Sequence, residues 1–318
     1  MSYDEFLDTI LSSLKETLGE DYQFRVNTLP KNNGATVDGL FLIRPGEQAL
    51  PVVYLNPYYV KVREGRASIE QVLAEILDQL RNARPPAAMP DDLSDFNQVR
   101  DRIMFRLIHT ESNPTILSDV PSIPFLDLSI VFYLSLEHRS NSQMTALIHR
   151  SHIRQWNMDE KALWNLAREN TPREYPVRVM PMQNVLQRFC LDLPESSAEA
   201  SCPIPVLDET DTPPLYVVTN SYGLYGSACI LYPDMLRKLS DRLDANLVLL
   251  PSSIHEVLIM PGESDTPYDD LSEMVTTINR QQVDGEDQLS NQVYLYKRND
   301  RLIHLMTAGP RLVGHSGA

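Results

Sequence analysis

Cysteines, basic side chains and long apolar runs are all scarce in this 318-residue chain. Its three cysteines (Cys190, Cys202 and Cys229) lack the paired spacing of a zinc knuckle and are too few for a disulfide framework. No window reaches the roughly 18 consecutive apolar residues of a membrane span. The N-terminal segment carries acids where a signal peptide needs bases. These absences predict a protein of the reducing cytoplasm with no membrane partner.

Cofactor and metal motifs are also missing. The 12 glycines form no GxxxxGK[ST] loop and no GxGxxG after a strand. His149 and His152 are three residues apart at an expected strand end, but no third ligand is near, and metal sites need three or four ligands. His109 and Glu111 form a second pair, two residues apart, which we interpret as solvated side chains. We therefore expect no metal and no cofactor.

Negative charge, in contrast, is abundant and unevenly distributed. The formal net charge is −15, and residues 191–296 account for −14 of it, with 18 acids against four bases. The ordinary explanation is a well-solvated surface that resists aggregation. The alternative is a surface that meets a basic protein, with Asp265, Asp269 and Asp270 as candidate contacts. Direct binding to nucleic acid is disfavoured because phosphate neutralisation needs a concentrated basic face.

Apolar periodicity and turn signals predict an α+β fold of mixed or antiparallel sheets with packed helices. Ser2 with Glu5, and Ser68 with Gln71, have the capping-box spacing of helix starts. Asn33-Gly34 predicts a tight turn between two strands. Proline-rich and acidic stretches divide the chain into two or three domains. The expected domains are residues 1–84, 93–192 and 214–308, with linkers 85–92 and 193–213.

The later segments alternate strands and helices. Asn157 is expected to cap a helix that ends before Pro172. Residues 214–232 are expected to form a hairpin that turns at Tyr222-Gly223. Two further strands are predicted in residues 246–261, and a final hairpin in residues 291–306.

The stretch LPSSIHEVLIMP, residues 250–261, gathers hydroxyls, an imidazole and a carboxylate. A serine nucleophile needs a nearby base and an exposed elbow, usually flanked by glycine. Here a proline precedes the serines, and apolar runs flank the segment. We interpret it as a polar corner between two buried strands, with a ligand-contacting loop as the alternative. If the segment is catalytic instead, Ser253, His255 and Glu256 are the candidate residues.

A second candidate contact lies in YLNPYY, residues 54–59, where three tyrosines cluster. Tyr58 and Tyr59 are candidate binding residues of a recognition patch. The alternative is that they pack a short helix onto the N-terminal sheet.

Several segments, in order, resemble one bacterial family. They include KNNGATVDGLFL, DVPSIPFLDLSIVFYLSL, LPSSIHEV and INRQQVDGEDQLSNQVYLY, and the resemblance extends over residues 23–305. The family is the domain of unknown function 5688, found mostly in anaerobic gut Firmicutes. The resemblance implies no activity, cofactor or catalytic residue.

Three functions are compatible with these patterns. No segment joins a nucleophile to a base or supplies a full ligand set, so we expect a non-enzymatic cytoplasmic binding protein. If it has a macromolecular partner, we expect a basic protein that is contacted through residues 191–296. A second interpretation is an acidic inhibitor or nucleic-acid mimic whose C-terminal third occupies a basic surface. The third is an enzyme with a site assembled around His255.

The domain division is testable by limited proteolysis with mass spectrometry. We expect the first cuts within residues 85–92 and 193–213, because linkers of this composition expose their backbone to proteases. Cuts spread evenly along the chain, or an early cut within residues 67–83, would contradict the division.

Overall fold

The computed structural model describes residues 1–19, 22–43, 52–82, 93, 95–139, 142–185, 214–262 and 266–307. These residues form helices and three antiparallel sheets, which confirms the predicted α+β class. The chain divides into two compact units. Unit 1 comprises Met1–Lys31, Ala35–Met89 and Leu136–Met144, and unit 2 comprises Asn32–Gly34, Pro90–Ser135 and Thr145–Ala318. The predicted linkers lie outside the described residues, so the three-domain division stays a prediction.

Unit 1 is built from a three-stranded sheet and three helices. Its elements are α1 (Tyr3–Leu18), β1 (Gln23–Pro30), β2 (Thr36–Ile43), β3 (Val52–Tyr54), α2 (Asn56–Arg63) and α3 (Ile69–Asn82). Both predicted capping boxes are confirmed: the Ser2 N–H donates to Glu5 Oε2 over 2.7 Å, and the Ser68 N–H donates to Gln71 Oε1 over 2.8 Å. The helices bury their apolar stripes against the sheet. The buried core residues are Phe6, Ile10, Leu14, Leu40, Leu42, Val53, Leu55, Tyr58, Val72, Ile76 and Leu80.

The second sheet and the helices around it lie in residues 96–174, which belong mostly to unit 2; residues 136–144, the end of β6 and the start of β7, belong to unit 1. The elements are α4 (Phe96–Val99), β4 (Ile103–His109), α5 (Pro114–Asp119), β5 (Ser122–Phe125), β6 (Leu128–Arg139), β7 (Ser142–Leu147), α6 (Arg150–Gln155) and α7 (Glu160–Glu174). The sheet order is β4-β6-β5, and β7 also pairs with β6. Helix α7 packs on β4, where the Phe105 N–H donates to Thr171 Oγ1 over 3.1 Å and the Phe105 ring meets Trp164 edge-on.

A six-stranded sheet completes unit 2, in the order β13-β12-β10-β11-β9-β8. Its elements are β8 (Val177–Pro181), β9 (Tyr216–Asn220), a 3₁₀ helix (Gly226–Leu231), α8 (Met235–Leu243), β10 (Asn246–Leu250), β11 (Val257–Gly262), α9 (Tyr268–Gln282), β12 (Tyr294–Tyr296) and β13 (Ile303–Leu305). The antiparallel pair β12–β13 confirms the predicted final hairpin, and β10 and β11 confirm the two strands predicted in residues 246–261. The predicted hairpin over residues 214–232 is wrong, because β9 is followed by the 3₁₀ helix.

The start of α7 also differs from the prediction. Asn157 has a φ of 52° and lies outside the helix. Asp159 is the N-cap: its backbone is extended, and its carboxylate accepts the Ala162 N–H over 2.8 Å. Pro172 lies inside the last turn of α7 instead of beyond it.

The predicted turn at Asn33-Gly34 is confirmed, and its residues Asn32–Gly34 belong to unit 2. Asn33 and Gly34 have φ values of 58° and 72°, the left-handed region that asparagine and glycine tolerate. Asn33 is buried, and its N–H donates to Asn113 Oδ1 over 2.7 Å. Its side-chain Nδ2 donates to the carbonyls of Gly285 and Gln288. The asparagine therefore serves both as a turn residue and as a buried hydrogen-bonding group.

Gly226, at the start of the 3₁₀ helix, is required by a close approach of backbones. A Cβ at this position would lie 2.2 Å from Thr219 Oγ1 and 2.3 Å from the His255 carbonyl oxygen. The same two atoms hydrogen-bond each other over 2.7 Å, which ties β9 to the segment between β10 and β11. The absence of a side chain at Gly226 is what lets the 3₁₀ helix lie against this bond.

We expect Gly226→Ala to lower the free energy of unfolding by about 3 kcal/mol, because the methyl group forces backbone atoms apart. Gly223→Ala is the matched control. Gly223 has a φ of 67°, and no atom lies within 4 Å of the place that an alanine Cβ would take, so only the left-handed penalty of about 1 kcal/mol applies. Urea unfolding of both variants measures the difference. Equal losses of unfolding free energy in the two variants would show that the close approach at Gly226 does not constrain the fold.

Candidate functional site around His255

The polar corner predicted between two strands lies against a long connection in unit 2. The corner comprises residues 251–256, between β10 and β11, and we name residues 283–293, between α9 and β12, the central loop. Three backbone bonds join them. The N–H groups of Leu289 and Ser290 donate to the carbonyls of Ser252 and Pro251, both over 2.9 Å, and the Ile254 N–H donates to the Asp287 carbonyl over 2.8 Å. The corner and the central loop thus satisfy each other's backbone groups.

Ser253 acts within the corner as a turn acceptor. It is buried, and its Oγ accepts the His255 backbone N–H over 3.0 Å. The hydroxyl is therefore paired with the backbone of His255 and not with its imidazole. This geometry does not match the nucleophile–base contact of a serine hydrolase.

The imidazole of His255 is held from both sides. Its Nε2 lies 3.2 Å from Asp287 Oδ1, and its Nδ1 accepts the Tyr225 N–H over 3.3 Å. The ring also stacks on Tyr225, with 6.0 Å between centroids and 9° between planes. A histidine that serves as general base needs one nitrogen within reach of the substrate. In this arrangement both nitrogens are engaged by the fold.

The pKa of His255 is raised by its surroundings. Burial acts to lower this pKa, but the hydrogen bond and charge of Asp287 together outweigh it, and Glu256 and the Gly223 backbone add to the increase. The neutral ring accepts the Tyr225 N–H at Nδ1. Protonation of the ring turns its contact with Asp287 into an ion pair.

His109 is a second buried polar group, which contradicts its interpretation as a solvated residue. Its side chain is 7% exposed, and its Nδ1 lies 2.8 Å from Ser112 Oγ. Its Nε2 is 3.9 Å from Asp127 Oδ2, and burial lowers its pKa. Asp127 in turn accepts the hydroxyls of Ser290, over 2.7 Å, and Tyr294, over 2.5 Å. This network connects β4 and the turn before β6 to the central loop.

The remaining sequence candidates lie apart from the corner. His149 precedes α6, with Nδ1 2.7 Å from Asp119 Oδ2, and His152 Nδ1 accepts the His149 N–H. Across the described ranges, no three His, Cys, Asp or Glu side chains are grouped to hold a metal ion.

The candidate tyrosines pack inside unit 1. Tyr58 is buried in the core, and the Tyr59 ring lies 5.0 Å from Tyr3 and 5.6 Å from Phe6 between centroids. Their positions agree with the packing alternative and not with an open recognition patch. Tyr58 in particular has little surface with which to contact a partner.

The acidic candidates are divided between described and undescribed residues. Asp269 and Asp270 lie exposed in the first turn of α9, where acids interact favourably with the helix dipole. Asp265 falls outside the described residues. Glu256 is half-buried beside His255.

Comparison with known proteins places the chain in one family. Residues 3–298 match the model of the family of unknown function DUF5688, so the chain belongs to that family. No curated protein and no solved structure matches it. Among the described residues, no helix has both the length and the apolar character needed to cross a membrane.

The His255–Asp287 contact predicts a pH-dependent stability. The folded-state pKa of His255 lies above its unfolded value of about 6.5, so the ion pair stabilises the fold fully below that pH and less as pH rises through the folded-state pKa. We expect Asp287→Asn to cost about 1 kcal/mol of unfolding free energy near pH ~5.5. The cost should shrink toward pH ~9, as urea unfolding at several pH values will measure.

Asp284→Asn provides the control, because Asp284 lies in the same loop and its carboxylate is exposed. Its effect on stability should not follow the titration of His255. A cost of Asp287→Asn that stays constant or grows with pH would contradict the ion pair.

Proposed function

We propose that this protein is a non-enzymatic binding protein that meets a basic protein partner through the outward face of α9. This α9 face comprises the exposed side chains of Asp269, Asp270, Glu273, Met274 and Ile278. The opposite side of the helix is anchored in unit 2 by Ser272, Val275 and Asn279, which are buried. The helix is thus held in one orientation and presents the same residues to solvent.

The observation that carries the proposal is an exposed apolar pair beside unneutralised acids. Met274 and Ile278 are 44% and 37% exposed and, four residues apart, lie next to each other on the helix. Apolar contacts surrounded by charge are typical of protein interfaces, where the apolar centre contributes affinity and the charged rim contributes steering.

The charges of the α9 face differ from those of the neighbouring helix α8. Around α8, Asp234 pairs with Arg237 over 2.9 Å and Asp244 pairs with Arg298 over 2.5 Å. Within the described part of the chain, the acids of the α9 face have no such ion pairs. Their field is therefore available to attract a basic surface, over the screening distance of about 8 Å at physiological salt.

An inhibitor or nucleic-acid mimic is a special case of this proposal, in which the basic partner surface normally holds nucleic acid. An enzyme around His255 is the second candidate function, and the His255–Asp287 contact favours it. The engagement of both imidazole nitrogens, and the use of Ser253 Oγ by the backbone, favour the binding protein instead.

The proposal is tested by site-specific photo-crosslinking in the native host. A crosslinker at Met274 should yield one protein adduct that weakens as salt rises, whereas a crosslinker at Leu302, 59% exposed in the β12–β13 hairpin, should not yield it. Reversing both Asp269 and Asp270 to lysine should remove most of the adduct, because the partner then meets like charge.

The matched control reverses Asp4 and Asp8, two exposed acids of α1, so that the net charge changes by the same amount. Of these two only Asp4 lies in the first turn of its helix, so the control carries the smaller helix-dipole cost. Circular-dichroism melts establish that each variant is folded. An adduct that is insensitive to charge reversal on α9, or equally sensitive to reversal on α1, would contradict the proposal.

A further inference from the structure

Arg106 places a positive charge between apolar neighbours on one face of the second sheet. It lies in the middle of β4, opposite Val131 of β6. Its neighbours two residues away on the same face, Met104 and Ile108, are each 1% exposed. Arg106 itself is half-buried. A guanidinium in this position loses much of its hydration and needs a compensating partner.

No compensating carboxylate is present among the described residues of the chain. Arg106 makes no ion pair or hydrogen bond with them, and its Nε is sealed from solvent without an acceptor. Its contact with the fold is the ring of Tyr225, 4.6 Å from the guanidinium carbon to the centroid. A cation–π contact offsets part of the desolvation but supplies no acceptor for the N–H donors of the guanidinium.

The surroundings of Arg106 are aromatic and rigid. Tyr133, which is buried on the same sheet face as Met104, meets the Tyr225 ring edge-on with 5.3 Å between centroids. His255 stacks against Tyr225 as well, so the ring is fixed by two side chains in addition to Arg106. Tyr225 is further held by a left-handed backbone, with a φ of 53°. The ring beneath Arg106 is therefore fixed, and the guanidinium that it holds has no acceptor among the described residues.

We infer that Arg106 binds the oxyanion of a small ligand, a carboxylate or a phosphate, while the Tyr225 ring holds the guanidinium in place. The planar guanidinium matches either group with two parallel N–H···O bonds. Because Arg106 is only half-buried, a small anion can reach it from solvent. This site is separate from the α9 face, and the inference does not depend on the proposed function.

The inference has two measurable consequences. In buffer without phosphate or carboxylate, Arg106→Met should melt at a temperature equal to or above that of the wild-type chain, because the uncompensated charge is removed. Added sodium phosphate or sodium acetate should raise the melting temperature of the wild-type chain above that found in sodium chloride of the same ionic strength.

The variants distinguish anion binding from a structural cation–π contact. Arg106→Met should lose the phosphate- or acetate-specific shift, with affinity weakened at least about tenfold, and Arg106→Lys should keep a reduced one. The control Arg154→Met removes an exposed arginine of α6 and should keep the full shift. A response to phosphate but not acetate, or the reverse, identifies the oxyanion.

Two results would overturn the inference. One is an equal anion shift in the wild-type chain and in Arg106→Met, which would assign the effect to other residues. The other is the lack of any anion-specific shift in the wild-type chain, which, with a fall in the melting temperature of Arg106→Met, would make Arg106 a structural partner of Tyr225 only.

Discussion

The arrangement of unit 2 depends on satisfying the polar groups of the central loop. An irregular segment inside a fold cannot pair its backbone with a sheet or helix, so each buried N–H and C=O needs a specific partner. Asn279 makes two hydrogen bonds to the loop: its Nδ2 donates to the Ser290 carbonyl and to the side-chain Oδ1 of Asn291. Gln288 Nε2 donates back to the carbonyls of Asn279 and Val283. The loop is thereby attached to the helix that precedes it.

The same loop links the features that bear on function. Through Asp287 it reaches His255, and through Ser290 it reaches Asp127. Because Asn279 and Ser272 attach α9 to the loop and to Asn291, the orientation of the α9 face follows from this network. The polar cluster that first suggested catalysis therefore has a structural use, and the surface it holds in place is the better candidate for function. Arg106 differs from these groups because its Nε has no acceptor among the residues that the structure describes.

The parts of the fold that sequence reasoning predicted are those decided by near neighbours. A capping box needs residues three apart, and the Asn33-Gly34 turn needs two residues with tolerance for positive φ. The β12–β13 hairpin follows from a short connection between two apolar runs. Residues 214–232 show why other predictions failed. They contain two apolar runs around a glycine, as a hairpin does, but the second run forms a 3₁₀ helix whose Gly226 packs closely against His255 and Thr219, two contacts that the local pattern does not reveal.

The site could not be assembled from the sequence because its contacts are distant in the chain. Asp287 is 32 residues from His255, and Asp127 is 167 residues from Tyr294. Periodicity carries no information on such pairs. A signal was present for His109, since a histidine at the end of the apolar strand IMFRLIH is more consistent with a buried residue than with a solvated one. Arg106 in the same strand, an arginine within a buried apolar run, was a comparable signal.

The buried asparagine of the β1–β2 turn carries a chemical consequence for the lifetime of the protein. An asparagine followed by glycine deamidates readily through a cyclic imide, which forms when the next backbone nitrogen attacks the side-chain carbonyl. In the fold, the Asn33 amide is held by Asn113, Gly285 and Gln288, so it is not free to rotate into that attack. Each excursion to the unfolded state releases it. A carboxylate formed there could not donate to the carbonyls of Gly285 and Gln288 and would repel them on refolding. Deamidation of Asn33 should therefore proceed mainly while the chain is unfolded. Chains that carry the resulting carboxylate would refold without the hydrogen bonds from residue 33 to the central loop.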